Sequence, residues 1–332
     1  MVRSAIVITA QSRPMPPRVA ETQRLDPRKF RDPRVTAKGE TRARVALKDL
    51  RTLWFNTGTL CNLTCRNCYI ESSPTNDQLV YLTAAEVRVY LDEIRDQRLP
   101  TEEIGFTGGE PFMNPELPAM IAECLDRGFR VLVLTNAMKP MMKVQEAFLA
   151  ARAHGPGRLA IRVSIDHYTR DIHELERGQH TWAPTIAGLH WLVANGFEVH
   201  VAARSFTGQN EAEIRRGFSR FFADHGVPID ADDPQRLIVF PEMDPSADVP
   251  EITEACWGIL KKSPDAMMCA SSRMVVKRKG ADRPAVIACT LLPYDPQFEL
   301  GKSLAEAAGS VPLNHPHCAK FCVLGGGSCT RS

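Results

Sequence analysis

Six apolar, strand-like runs alternate with helical stretches between Leu50 and about Pro241, and this rhythm constrains the fold more than any other feature. The runs are Thr52 to Asn56, Glu103 to Phe106, Arg130 to Leu134, Leu159 to Ile165, Glu198 to Ala203 and Arg236 to Phe240. Helical patterns fall near Ala84 to Gln97, Pro115 to Arg127, Met141 to Ala153, Thr181 to Asn195 and Glu211 to Asp224. Thr83 and Glu86 form a capping box that starts the first of these helices. Strand and helix in alternation predict an α/β fold with a parallel sheet and right-handed crossovers. Six strands predict a partial (β/α)6 TIM-like barrel, with an open doubly wound sheet as the alternative.

The flanks read differently. Residues 1–45 are rich in Arg and Pro and show neither hydrophobic period, so they are expected to be a flexible basic N-terminal arm or, alternatively, a contact surface for a partner. Residues 46–245 would form the barrel. Residues 246–332 are punctuated by Pro, Gly and Cys and predict a small hairpin-bearing module. A chain of 332 residues that is 44% hydrophobic can bury a sizeable core, and a net charge of +2 gives no sign of a nucleic-acid or membrane surface. The run Ala5 to Ala10 is too short and badly flanked for a secretory signal, so a cytoplasmic protein is expected.

Ten cysteines without a secretory signal point to metal or redox chemistry rather than disulfides. Cys61, Cys65 and Cys68 lie within eight residues, directly after the first strand. Iron-sulfur cubanes are normally held by four thiolates, so three local ligands leave one iron open to a small molecule. A structural zinc site completed by a distant residue is the alternative, although this spacing is unusual for one. Thr107-Gly108-Gly109-Glu110-Pro111 follows the second strand. Its glycines permit close backbone approach, and Glu110 could accept a hydrogen bond from a ligand ammonium. A simple turn is the plain reading of that motif alone. Cys124, beside Met120, Ile121 and Leu125, reads as core.

The cysteine loop, its place after the first strand, Tyr69 behind the last cysteine and the Gly-Gly-Glu motif resemble the radical S-adenosylmethionine superfamily. The resemblance implies a catalytic four-iron four-sulfur cluster on Cys61, Cys65 and Cys68. It also implies reductive cleavage of S-adenosylmethionine to a 5'-deoxyadenosyl radical that abstracts hydrogen, with a flavodoxin or ferredoxin-type protein as electron donor. By the same analogy Tyr69, Gly108, Gly109 and Glu110 border the cofactor, as do Asn136 with Thr135, and Ser164 and Asp166. Arg204 could pair its carboxylate.

The later cysteines are similar to SPASM and twitch extensions, which bind auxiliary four-iron four-sulfur clusters. Cys269, Cys289, Cys318 and Cys322 are the expected ligands, with Cys256 and Cys329 as alternatives; a zinc site or buried thiols would be the plainer account. The nine histidines show no metal-binding spacing, and His315 and His317 read as a solvated turn. A small-molecule substrate, or a peptide delivered by another protein, is implied by analogy. The rival from another class is a noncatalytic iron-sulfur or zinc regulator whose basic arm meets nucleic acid, and the Gly-Gly-Glu motif argues against it.

Overall fold

The computed structural model describes residues 24–205, 207–242, 244 and 246–326. After a short strand β1 (Arg44–Val45), the expected alternation appears: β2 (Thr52–Asn56), α1 (Ala84–Asp96), β3 (Glu103–Thr107), α2 (Leu117–Asp126) and β4 (Arg130–Thr135). It continues through α3 (Lys139–Met142), α4 (Gln145–Ala153), β5 (Leu159–Ser164), α5 (Arg170–Arg177), α6 (Trp182–Ala194), β6 (Glu198–Ser205), α7 (Glu211–Asp224) and β7 (Leu237–Pro241). The capping box of Thr83 and Glu86 is formed, and Asn210 with Glu213 makes a second one at α7. The single helix expected from Met141 to Ala153 is two helices, broken by Lys143 and Val144.

Strands β2 to β7 lie side by side in chain order, every pair parallel. A doubly wound sheet reverses its strand order at a switch point and carries helices on both faces. Neither holds here. Leu53, Phe55, Val131, Val133, Ile161 and Val163 pack with the helices, whereas the alternate residues Trp54, Leu132 and Ala160 share a second core with residues 249–323. That period of two, with every crossover helix on one side, is the wall of a partial barrel. Gly105 of β3 leaves room on the inner face for the Trp54 ring, which a Cβ there would meet at 2.3 Å.

The sheet also crosses the boundary expected after residue 245. Beyond α8 (Ala255–Leu260), strand β8 (Ser272–Val276) pairs parallel to β2, Thr52 opposite Ser272. Antiparallel strands β9 (Ala285–Ile287) and β10 (Glu299–Gly301) continue it to nine strands, with β7 and β10 as the two edges. The hairpin expected within residues 246–332 is β8 and β9, built onto the barrel wall.

The basic segment differs from its expectation over the described part. Residues 24–45 pack against residues 246–254, and β1 pairs with β11 (Val311–Pro312). The anchor is Arg42, fully buried, which pairs with Glu251 and donates to the carbonyls of Asp32, Val35 and Leu313. Glu251 also accepts from the backbone N–H groups of Phe30 and Ala37. One buried charge pair holds an irregular segment that has no hydrophobic period to reveal it. Residues 1–23 lie outside the described residues. Among the described residues no helix is long and apolar enough to cross a membrane.

Candidate active site

The carboxyl ends of parallel strands are where loops converge and α/β proteins bind ligands. Here those ends enclose a cleft of about 1030 Å³, counting the part open to solvent. Cys61, Cys65, Cys68 and Tyr69 line it from the loop after β2, Gly108 and Gly109 from the loop after β3, and Asn136 from the end of β4. Ser164, Asp166 and Arg204 line it from β5 and β6. Phe240 and Pro241 of β7, with Leu291 and Phe321 from the C-terminal part, form an apolar side.

The two motif loops are locked together by backbone. Gly109 N–H donates to Gly58 O at 2.8 Å and Glu110 N–H to Leu60 O at 3.1 Å. A Cβ on Gly109 would sit 2.2 Å from Leu60 O, so only glycine lets the loops approach this closely. Gly108, at φ +140°, would place a Cβ 2.5 Å from Gly58 O.

Glu110 stands behind the cleft rather than among the residues lining it. One carboxylate oxygen accepts from Thr135 Oγ1 at 2.7 Å and from Phe112 N–H, and the other from Asn136 N–H at 2.8 Å. Burial raises its pKa to about 7, against the pull of those three donors. Asn136, oriented by this contact, bonds the Asn62 side chain at 2.9 Å. Glu110 therefore couples the strand ends of β3 and β4 to the cysteine loop.

Helix α5 contributes what sequence reading missed. Its inward residues are polar: His173, Glu174 and Glu176 are buried and Arg177 nearly so. Arg177 pairs with Asp166 at 2.8 Å; burial opposes its charge, but Asp166 and the nearby Cys65 and Cys68 raise its pKa above the ordinary value. Glu176 accepts from Asn67 N–H and Nδ2, and its backbone carbonyl accepts from Arg66 N–H. Arg204 pairs with Glu176 at 3.0 Å and donates to Asn67 O, while its Nη2, buried at the cleft, has no hydrogen-bond partner among the described residues. The cysteine loop is thus clasped by a carboxylate, and a guanidinium N–H is left for a ligand's oxygen.

Burial pushes Cys61 up to about 12 and raises Cys65 as well, so each needs a cationic partner to ionise there. Among the described residues no group of three or more His, Cys, Asp or Glu converges on a single metal-ion position. A cubane takes one thiolate per iron, so its ligands stand apart around the cluster instead of meeting at a point.

A second cavity, about 420 Å³, lies on the far side of Leu291, which lines both. Cys269, Cys289, Cys318 and Cys322 border it together, among Met268, Leu292 and Phe298. Cys269 sits on a 3-10 turn, and Cys318 and Cys322 lie one above the other on a π-helical segment, Cys318–Leu324. Burial pushes Cys318 up to about 12 and Cys269 up to about 11. Cys256 is not on this wall; its sulfur accepts from Thr253 N–H. Cys329 lies outside the described residues. His317 is buried on the cavity wall and His315 is partly buried, so neither belongs to a solvated turn; burial lowers both to about 4. Cys124 is fully buried core on α2, as its neighbours suggested.

Residues 55–217 match the Radical SAM superfamily. The superfamily implies S-adenosylmethionine and a four-iron four-sulfur cluster as cofactors. Among characterised relatives, GTP 3',8-cyclase of Rhodococcus opacus (strain B4) is 36% identical over 117 residues, 33% of this chain and 30% of that protein. The subtilosin biosynthesis protein AlbA of Bacillus subtilis (strain 168) is 28% identical over 147 residues, 44% of this chain and 31% of that one. The matches thus span about a third of these relatives' length. The fold is similar to that of Streptococcus suis SuiB bound to S-adenosylmethionine (TM-score 0.55, 12% identity, 77% of this chain and 64% of that one). It is also similar to native anSMEcpe with bound AdoMet (TM-score 0.54, 14% identity, 77% of this chain and 79% of that one).

Proposed function

We propose that this protein is a radical S-adenosylmethionine enzyme with its catalytic cluster on Cys61, Cys65 and Cys68. The observation that carries the reading is the locked pair of loops, three cysteines against Gly-Gly-Glu, facing one cleft at the carboxyl ends of a parallel sheet. The cluster, when bound, supplies an electron for cleavage of the S-adenosylmethionine sulfonium into methionine and a 5'-deoxyadenosyl radical. This chain's residues do the placing. Arg204 Nη2 is offered to the cofactor's carboxylate, the Gly108-Gly109 backbone and Asn136 border its methionyl portion, and Ser164 and Asp166 stand at the adjoining strand ends. Glu110 acts by fixing Asn136. The apolar side of Phe240, Pro241, Leu291 and Phe321 would exclude water from a reactive radical.

Cys269, Cys289, Cys318 and Cys322 are proposed to hold an auxiliary four-iron four-sulfur cluster, supported by their convergence on one apolar cavity. Leu291 then stands between the two sites, where the substrate would be held. The substrate is a small molecule or a peptide; relatives and neighbours include a GTP cyclase and SuiB bound to its precursor peptide SuiA. A flavodoxin or ferredoxin-type donor would provide the electron. The reading is tested by anaerobic reconstitution with iron and sulfide, reduction with dithionite, and measurement of 5'-deoxyadenosine from S-adenosylmethionine. Wild type should form it and the Cys61, Cys65, Cys68 triple alanine variant should not; equal yields would refute the assignment.

A further inference from the structure

Buried guanidinium groups are almost always matched to carboxylates, because an unpaired charge in a dry interior is expensive. Arg273 on β8 breaks that pattern. It is 1% exposed, yet every hydrogen bond it makes goes to a backbone carbonyl: Ala307 O at 2.9 Å, Cys269 O at 2.6 Å, Ser272 O at 2.8 Å and Gly309 O at 3.0 Å. Among the described residues no Asp or Glu pairs with it. Arg42 and Arg177, two other guanidinium groups shielded from solvent, each have one. The anionic groups that do act on Arg273 are Cys269 and Cys289, should they ionise. A positive charge has been fixed beside two cysteines of the second cavity with nothing in the described protein to neutralise it.

We propose that Arg273 is the built-in counter-charge of the auxiliary cluster, favouring its reduced form. The inference rests on the auxiliary-cluster reading above. A cubane held by four thiolates is a net anion and gains one more negative charge on reduction, and its potential follows net charge and surroundings. In a dry cavity an adjacent fixed cation stabilises the reduced form more than the oxidised one. Arg273 is a positioning and tuning residue, not a ligand.

The test is an EPR-monitored redox titration of the full-length chain carrying Cys61→Ala, Cys65→Ala and Cys68→Ala, so that only the auxiliary cluster titrates. Arg273→Met should make reduction about tenfold less favourable or worse, a fall of about 59 mV for a one-electron couple. Arg273→Lys, which keeps the charge but loses most of the carbonyl bonds, should stay near the parent potential even as thermal stability falls. Gly309→Asp guards against misfolding of the Met variant. A Cβ there meets nothing within 4 Å and φ is −65°, so it adds a carboxylate on the residue whose carbonyl holds the guanidinium, without disturbing the backbone. It should lower the potential in the same direction. Unchanged potentials in Arg273→Met and Gly309→Asp, or equal shifts in the Met and Lys variants, would overturn the counter-charge and leave Arg273 a carbonyl clamp. If the triple-alanine parent holds no iron, the auxiliary-cluster reading itself fails and takes the inference with it.

Discussion

Gly109→Ala isolates the contact on which the site depends. The added Cβ would lie 2.2 Å from Leu60 O, 2.6 Å from Leu60 C and 2.8 Å from Thr59 O, all backbone atoms of the segment that leads into Cys61. No side chain can swing away, so the two loops must separate. Gly109 is not in the left-handed region, so alanine has no dihedral penalty and the cost is steric. Separation removes the bonds from Gly109 N–H to Gly58 O and from Glu110 N–H to Leu60 O, about 1 kcal/mol each. Overpacking adds about 1 to 3 kcal/mol, giving about 3 to 5 kcal/mol in all. Urea unfolding of the metal-free protein should show a midpoint lower by about 1 M, since the slope is at the upper end of the usual range for a chain of this size. Iron retained by the Cys61 loop after reconstitution should fall in parallel. Gly309→Ala, in open space, is the control and should be silent. A Gly109→Ala midpoint equal to wild type with full iron content would refute the idea that this approach builds the site.

Replacing Cys61, Cys65 and Cys68 with alanine should remove one cubane equivalent of iron and sulfide and leave the auxiliary complement, as read by iron and sulfide assay. Glu110→Gln should weaken S-adenosylmethionine binding in calorimetry with iron content intact, because both carboxylate oxygens face donors and an amide N–H₂ must oppose one of them. Glu110 also sets a pH dependence: its folded pKa of about 7 exceeds the ordinary glutamate value of 4.5, so the unfolded chain ionises first. Its contribution to the stability of the ligand-free protein should therefore fall as pH rises from 4.5 to about 7 and level off above, a slope missing from Glu110→Ala in urea titrations across that window. Glu176→Gln strips the buried Arg204 of its charge partner and should cost about 3 kcal/mol in thermal unfolding, reading as loosened iron at the cysteine loop. Cys269 and Cys289 variants should still release 5'-deoxyadenosine yet fail to convert the true substrate; a joint loss of cleavage and thermal stability would mark a structural role instead.

The strands of the barrel were legible because each alternates two apolar faces, one toward the helices and one toward the interior. The cysteine and Gly-Gly-Glu loops were legible because their residue types are tied to backbone and metal chemistry. Helix α5 was not. Its sequence, Arg170 to Arg177, turns His173, Glu174 and Glu176 inward, so apolar periodicity has nothing to register. Arg177 and Glu176 thereby escaped notice, although together they hold Asp166, Asn67 and Arg204 in place. A polar inward face leaves a signal only when its partners across the fold are known. The folding of residues 24–45 was hidden for a similar reason, since it depends on Arg42 meeting Glu251 more than two hundred residues away. The role of Glu110 was half-visible: the motif marked it, but its engagement with Thr135 and Asn136 required the tertiary structure.

The pairing of β8 with β2 has a consequence for how this architecture can vary. One strand launches the Cys61 loop from its far end, and its neighbour begins just after Cys269 and carries Arg273. The interval between the two cysteine sites is thus measured out by a hydrogen-bond register, Thr52 against Ser272 through Phe55 against Val275, as if along a ruler with a division every 3.3 Å or so. A tether could lengthen or shorten by single residues and leave both sites working. A register cannot: slipping it by one residue turns Met274 and Val276 to the wrong side of the wall. Chains built on this plan are free to change the loops that meet a substrate, but not the span between the sites those loops serve.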